Sequence, residues 1–135
     1  MNRERLTPLS QKIRVVLCNK HTLFRDGIKA LFRHTGIEIV GEAATAQQTL
    51  MLVEGLRPEV VLLDATMPNA SCSDMTRRIK ALAPQVEVVI LSLDDDEQLI
   101  ANCRRAGAAG YIRRDDQPLQ VQRAIRAACR RVHAA

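Results

Sequence analysis

The sequence predicts an α/β domain built on a five-stranded parallel sheet with helices on both faces. Five short apolar runs alternate with five segments of helical periodicity, an arrangement typical of consecutive βα units. Most of the runs are apolar at nearly every position rather than at every second one, which indicates strands that are buried on both faces.

The predicted strands are short and rich in β-branched residues, as buried strands usually are. In chain order they are IRVVLC (13–18), IEIVGEA (37–43), EVVLLD (59–64), VEVVILS (86–92) and AAGYIRR (108–114). The predicted helices between and after them cover 22–36, 45–56, 73–84, 94–107 and 117–132.

Several helix ends carry recognisable signals. Thr22 is a candidate N-cap and Gly36 a candidate stop for the first helix, because hydroxyls cap helix starts and glycine tolerates the left-handed turn that follows a helix. Thr45 and Gln48 form the T-x-x-Q spacing of a capping box. Pro84 ends the third helix.

The composition fits one folded domain. The chain has 135 residues, 47% of them hydrophobic and 26% charged, which suits a globular protein. It contains no apolar stretch near the roughly 18 residues of a membrane helix and no secretory apolar segment at its start, so we expect a cytoplasmic protein. We predict an N-terminal extension at 1–12, one domain over 13–132 and a tail at 133–135.

Cysteine spacing and charge distribution add two expectations. The four cysteines are far apart and form no C-x-x-C pair, which favours buried thiols over a metal site or a disulfide framework. Residues 101–135 carry eight arginines against Asp115 and Asp116, so the positive charge is concentrated at the C-terminal end.

Ligands of open α/β sheets bind beyond the carboxyl ends of the strands. The polar residues delivered there are Cys18, Asn19, Lys20, Asp64, Ser92, Arg113 and Arg114. Asp64 is the acid that ends the EVVLLD run. A functional role is favoured for it, and a structural capping role is the alternative.

These segments resemble the receiver domains of two-component response regulators. EVVLLDATMPNAS, VVILSLDDDE and RRAGAAGYIRRDD carry the resemblance, and HTLFRDGIKALF and VGEAATAQQTL are similar to the subfamily with a LuxR-type helix-turn-helix output. The resemblance covers residues 13 to about 131. It implies the flavodoxin-like (βα)5 fold, with strand order 2-1-3-4-5.

The resemblance also implies roles for individual residues. Asp64 matches the phospho-accepting aspartate, and Thr66 matches the residue whose carbonyl helps to bind Mg²⁺. Ser92 and Tyr111 match the two switch residues, and Pro68 matches the proline of the loop after the third strand.

The sequence departs from the family pattern at four residues. Asn19 and Lys20 stand where the family has a pair of acids, Arg114 stands where it has a lysine that contacts phosphate, and Cys72 replaces a usual glycine. Phosphoryl transfer depends on positioning and charge neutralisation. With Lys20 and Arg114 beside Asp64, the site is positive before any metal arrives.

Mg²⁺ prefers carboxylate and other oxygen ligands, and Asn19 offers one neutral oxygen whereas Lys20 offers none. Two charges about 4 Å apart interact by roughly 4 kcal/mol at an effective dielectric of 20, so Lys20 would repel the ion strongly. We therefore expect no cofactor, with Asp64 and Thr66 as residual metal candidates.

Two alternatives remain open for Lys20: it replaces the metal and pairs with Asp64, or it extends into solvent. A compensating role of Asp94, Asp95 or Asp96 in metal binding is a further alternative, although helix capping explains these acids more simply.

The leading functional hypothesis is an atypical receiver domain with impaired Mg²⁺-dependent phosphorylation. It would not be an enzyme and would regulate transcription through protein contacts. Its expected partners are a histidine kinase or a regulatory protein, an output domain if the chain is a fragment, and a second copy; no output domain lies within these residues, and no membrane contact is expected.

Two other hypotheses stay open. One is a conventional receiver phosphorylated at Asp64. The other is nucleic-acid binding through the basic last helix, where Arg123, Arg126 and Arg130 recur at helical spacing. A solvated helix face explains these arginines more simply, so DNA binding is not expected from this domain alone.

Overall fold

A computed structural model describes residues 12–94, 96–113 and 115–134. Five strands and five helices alternate along the chain: β1 Ile13–Cys18, α1 Thr22–Leu31, β2 Ile37–Ala43, α2 Ala46–Leu56, β3 Val60–Asp64, α3 Cys72–Leu82, β4 Glu87–Ser92, α4 Glu97–Arg105, β5 Gly110–Arg113 and α5 Pro118–Ala134. The predicted α/β architecture is confirmed.

All strand pairs are parallel, and the sheet order is β2-β1-β3-β4-β5. This is the predicted order 2-1-3-4-5. Since β3 lies at the centre with every residue buried, the carboxyl end of the central strand delivers Asp64 to one edge of the sheet.

Neighbouring residues of each strand enter different cores, because side chains alternate across a sheet. Val61 and Leu63 pack with α2, α3 and α4 on one face. Leu62 and Leu17 pack with α1 and α5 on the other. This two-sided burial is why the central strands are continuously apolar.

Helix ends differ from the predictions in two places. The N-cap of α1 is His21, whose side chain makes no capping bond, and the helix ends at Leu31. Thr22 is therefore the first helical residue, and Gly36, with φ of 82°, belongs to the turn that enters β2. The apolar pattern of α1 continues past Leu31 because Phe32 also packs inward.

Other caps agree with the sequence. Thr45 accepts a hydrogen bond from the Gln48 backbone N–H at 3.1 Å, while the Gln48 side chain accepts from Ala44, one residue before the position of a standard capping box. The α3 helix ends at Leu82, just before Pro84. No helix in the described part of the chain has the length and hydropathy needed to cross a membrane.

Candidate functional site

The carboxyl edge of the sheet brings β1 and β3 together around Asp64. Asp64 is 7% exposed and Asn19 only 2%. The Asn19 amide nitrogen donates a hydrogen bond of 2.9 Å to Asp64 Oδ2. The other carboxylate oxygen, Oδ1, accepts from the backbone N–H of Thr66 at 3.0 Å and from its hydroxyl at 3.1 Å.

Asn19 is itself held by its neighbours. Its backbone N–H donates to the Ala43 carbonyl at 3.0 Å, and its side-chain oxygen accepts from the His21 backbone N–H at 2.7 Å. The amide of Asn19 is thus oriented with nitrogen toward Asp64 and oxygen toward the start of α1. Buried polar groups that are paired in this way stabilise a single arrangement.

Lys20 does not pair with Asp64. It is exposed, and among the described residues it makes no hydrogen bond or ion pair. The hypothesis that Lys20 takes the place of the metal and binds Asp64 is therefore wrong for this structure. The buried Asn19 amide already satisfies Oδ2 of Asp64, and the ammonium group of a lysine stays hydrated more easily than it enters a buried site.

Arg25 supports the same corner and was not singled out from the sequence. Its guanidinium donates to the Asn19 carbonyl at 2.5 Å and to Glu42 at 3.0 Å, and its side chain is only 13% exposed. Glu42 also pairs with Lys29 at 2.7 Å, and that hydrogen bond is the main reason why the pKa of Glu42 lies below its usual range. The sequence signal for this contact is the opposite charge of Arg25, near the start of α1, and Glu42, near the end of β2.

The switch positions Ser92 and Tyr111 lie near the same edge, on β4 and β5. The Ser92 hydroxyl donates to the Asp94 carbonyl at 2.6 Å, so it faces its own loop and not Asp64. Two guanidinium groups lie over the Tyr111 ring, that of Arg104 at 5.0 Å and that of Arg113 at 4.9 Å from the ring centre. Hydrogen bonds from Arg113 and then Arg104 lower the pKa of the Tyr111 phenol.

The loop after β4 caps a helix. The Asp96 carboxylate accepts the Leu99 backbone N–H at 3.0 Å as the N-cap of α4, as the simpler interpretation of these acids predicted. Asp95 lies outside the described residues. So does Arg114, the basic residue that is expected to contact phosphate.

The described residues do not fit a Mg²⁺ site. No group of three or more His, Cys, Asp or Glu side chains that could hold a metal lies among them. Asp64 contributes the carboxylate, and the oxygen of Asn19 is already used by His21. A divalent ion would need more hard oxygen ligands than this corner supplies.

Cys18 borders the site from β1. It accepts a hydrogen bond from the Thr49 hydroxyl, and burial raises its pKa to about 11. All four cysteines are free and buried, as predicted, so thiolate chemistry is disfavoured here.

Comparison with known proteins identifies the family. Residues 15–126 match the family described as response regulator receiver domain. The chain belongs to this family.

Relatives of the receiver domain are longer transcriptional regulators. It is 39% identical over 117 residues to the transcriptional regulatory protein MctR of Rhizobium johnstonii, covering 84% of this chain and 54% of that protein. It is 34% identical over 120 residues to the uncharacterized transcriptional regulatory protein YxjL of Bacillus subtilis, covering 88% and 55%. The chain spans about half the length of the curated relatives it matches.

Solved structures agree with this assignment. The signal receiver domain of the putative response regulator NarL from Mycobacterium tuberculosis superposes with a TM-score of 0.81 at 27% identity, covering 89% of this chain and 98% of that one. A LuxR-family two-component response regulator from Aurantimonas superposes with a TM-score of 0.83 at 26% identity, covering 89% and 86%. The predicted resemblance to the LuxR-type subfamily is confirmed.

Proposed function

We propose that this receiver domain signals without Mg²⁺-dependent phosphorylation and regulates transcription through protein contacts. The observation that carries the proposal is the Asn19–Asp64 hydrogen bond. Asn19 is a neutral donor and stands at a position where the family resemblance implies a metal-binding acid. In this proposal, Asn19 holds the Asp64 carboxylate in one orientation and Lys20 supplies no metal ligand.

Charge supports this proposal. Attack of a carboxylate on an anionic phosphoryl group needs nearby positive charge that neutralises the phosphoryl oxygens and offsets the repulsion between the two anions. Arg25 lies near the site, but its guanidinium is bound to Glu42 and to the Asn19 carbonyl. The cation needed for phosphoryl transfer is therefore not supplied by Arg25.

The proposed partners follow from the family. A histidine kinase or another regulatory protein would bind the domain, a second copy would form a homodimer, and an output domain would be regulated if the natural chain continues. We place the protein in the cytoplasm and assign it no catalytic activity of its own. The α4–β5–α5 and α1–α5 faces are the proposed contact surfaces.

A conventional receiver that is phosphorylated at Asp64 is the second candidate. The presence of Asp64, Ser92 and Tyr111 in the expected positions favours it. In that case the Asn19 amide would donate to the phosphorylated side chain instead of the free carboxylate.

Titration with Mg²⁺ and beryllofluoride distinguishes the two candidates. Two-dimensional amide NMR of the wild-type domain should show no saturable shifts around Asp64 at up to 10 mM Mg²⁺ with beryllofluoride. That concentration is about ten times a dissociation constant of about 1 mM, so binding of this strength would be nearly saturated. Saturable shifts at residues 19, 64 and 92 would instead support the conventional receiver. A receiver domain from a relative with both acids serves as the positive control.

A further inference from the structure

The structure separates charge between the two edges of the sheet. Because all five strands are parallel, every helix that follows a strand ends near the edge where the strands begin. We call that side the amino edge. Its exposed bases come from the start of β1, from the turn after α1 and from the ends of α2 and α4: Lys12, Arg33, Arg57 and Arg105. Arg104 also ends α4, but its guanidinium lies over the Tyr111 ring.

Acids at the amino edge offset little of this charge. The Glu59 carboxylate is half-buried and accepts the Arg14 backbone N–H at 2.9 Å. Glu87 is paired with Lys80 at 3.5 Å. Among the described side chains of this edge, Glu38 and Glu54 are the exposed acids. The exposed surface is therefore clearly positive.

The opposite edge has the reverse charge. Asp74, Asp96 and Glu97 lie in the first turns or N-cap positions of α3 and α4, and Asp94 and Asp115 are also exposed there. Acids near helix starts and bases near helix ends both compensate helix dipoles. That explanation covers Arg104 and Arg105, but Arg33 and Arg57 lie beyond the last helical residues and Lys12 precedes a strand.

Part of the amino edge forms an open cleft of about 480 Å³ beside edge strand β2. Lys12, Arg33 and His34 line the cleft beside β2. Their side chains make no hydrogen bond or ion pair with any residue that the structure describes. Lys29 lines it too, but it is bound to Glu42.

The dimensions and chemistry of this edge suit a regular polyanion. Strands lie about 4.8 Å apart, so five strands span about 19 Å. Double-stranded DNA carries about one charge per 1.7 Å of its axis, which places about eleven phosphates along that distance. Arginine, the commonest base here, forms two parallel hydrogen bonds to a phosphate.

We propose that the amino edge binds the phosphate backbone of double-stranded nucleic acid without reading its sequence. The proposal is independent of the state of Asp64, which lies at the other edge. The proposed surface differs from the one considered from the sequence, the arginines of the last helix. One of those, Arg126, donates to the Thr35 carbonyl instead of extending freely from α5.

Paired charge-reversal variants test the proposal. The edge variant carries Arg33→Glu and Arg105→Glu. The matched control carries Lys20→Glu and Arg77→Glu, exposed bases away from the amino edge, and has the same net charge. Fluorescence anisotropy with a labelled random 30-base-pair duplex is measured from 25 to 200 mM salt, and circular dichroism verifies that both variants are folded.

The edge variant should bind the duplex at least tenfold more weakly at 25 mM salt than the wild type. The slope of log K against log salt should fall by roughly two, as expected when about two phosphate contacts are lost. The control variant should stay within threefold of the wild type. Equal losses in both variants would overturn the proposal, since net charge and not the amino edge would then be responsible.

Two further outcomes contradict the proposal. One is an absence of wild-type binding at 25 mM salt. The other is equally tight, equally edge-dependent binding of poly-glutamate, which would identify the edge as a site for acidic protein segments instead of a phosphate backbone.

Discussion

Asn19 donates a hydrogen bond of 2.9 Å to Asp64 across the ends of two neighbouring strands. The two residues are 45 positions apart in the chain, and parallel pairing of β1 with β3 brings them together. An amide and a buried carboxylate can remain in contact without a metal, because the carboxylate keeps three hydrogen-bond donors. This contact leads to the first two predictions.

Replacing Asn19 with alanine should destabilise the domain. The Asn19→Ala variant removes a donor from a buried carboxylate, and such a loss costs about 1–3 kcal/mol. Urea unfolding should show a lower midpoint with an unchanged slope. The exposed neighbour provides the control: Lys20→Ala should stay within about 0.5 kcal/mol of the wild type. The reverse order of the two variants would identify Lys20 as the partner of Asp64.

Restoring both acids should create a metal site. In the Asn19→Asp, Lys20→Asp double variant, three carboxylates would face one another, and their mutual repulsion favours a divalent cation. We expect saturable Mg²⁺ binding by isothermal titration calorimetry, at millimolar or tighter affinity, where the wild type shows none. If the double variant remains folded but does not bind Mg²⁺, the loss of the two acids is not the reason why the site lacks Mg²⁺ affinity.

Tyr111 should ionise below the usual pH of a tyrosine. It is the one tyrosine of a chain without tryptophan, so absorbance at 295 nm follows its phenolate alone. Because Arg113 and then Arg104 lower its pKa, the midpoint should lie below 10, and Arg113→Gln should raise it. Arg105→Gln is the control and should leave the midpoint unchanged. A wild-type midpoint of 10 or higher would exclude the two-arginine arrangement in solution.

The same lowered pKa has a consequence for stability. A phenol whose pKa is lower in the folded state favours the folded state only when it is ionised. Its contribution is therefore absent at neutral pH, develops as the pH rises through the folded pKa and is complete above the unfolded pKa.

The buried thiols should resist alkylation. Burial raises the pKa of Cys18 to about 11 and also raises those of Cys72 and Cys103, so little thiolate exists at pH 8. Mass spectrometry after iodoacetamide treatment should find these three residues largely unmodified in the native protein and all four cysteines modified in urea. Rapid native labelling of Cys18 would contradict its described environment.

Much of the fold followed from local patterns in the sequence. Continuous apolar runs such as 60–63 specify strands covered on both faces, and the helical periodicity between them specifies the crossovers. The ends of these runs also located Asn19, Asp64 and Ser92 at one edge, because parallel strands share a direction. The end of α1 was less predictable, since Phe32 continues the apolar pattern beyond the last helical residue.

The partners of the side chains were decided by the tertiary structure. Sequence spacing could not tell whether Asn19 or Lys20 reaches Asp64, because that choice depends on hydrogen-bond geometry between distant strands and on the cost of burying an ammonium group. The contact of Arg25 with Asn19 and the gathering of bases from separate helix ends at the amino edge likewise required the folded chain. The sequence determined which chemical groups are present and where each strand ends, and the packing of those strands determined which groups meet.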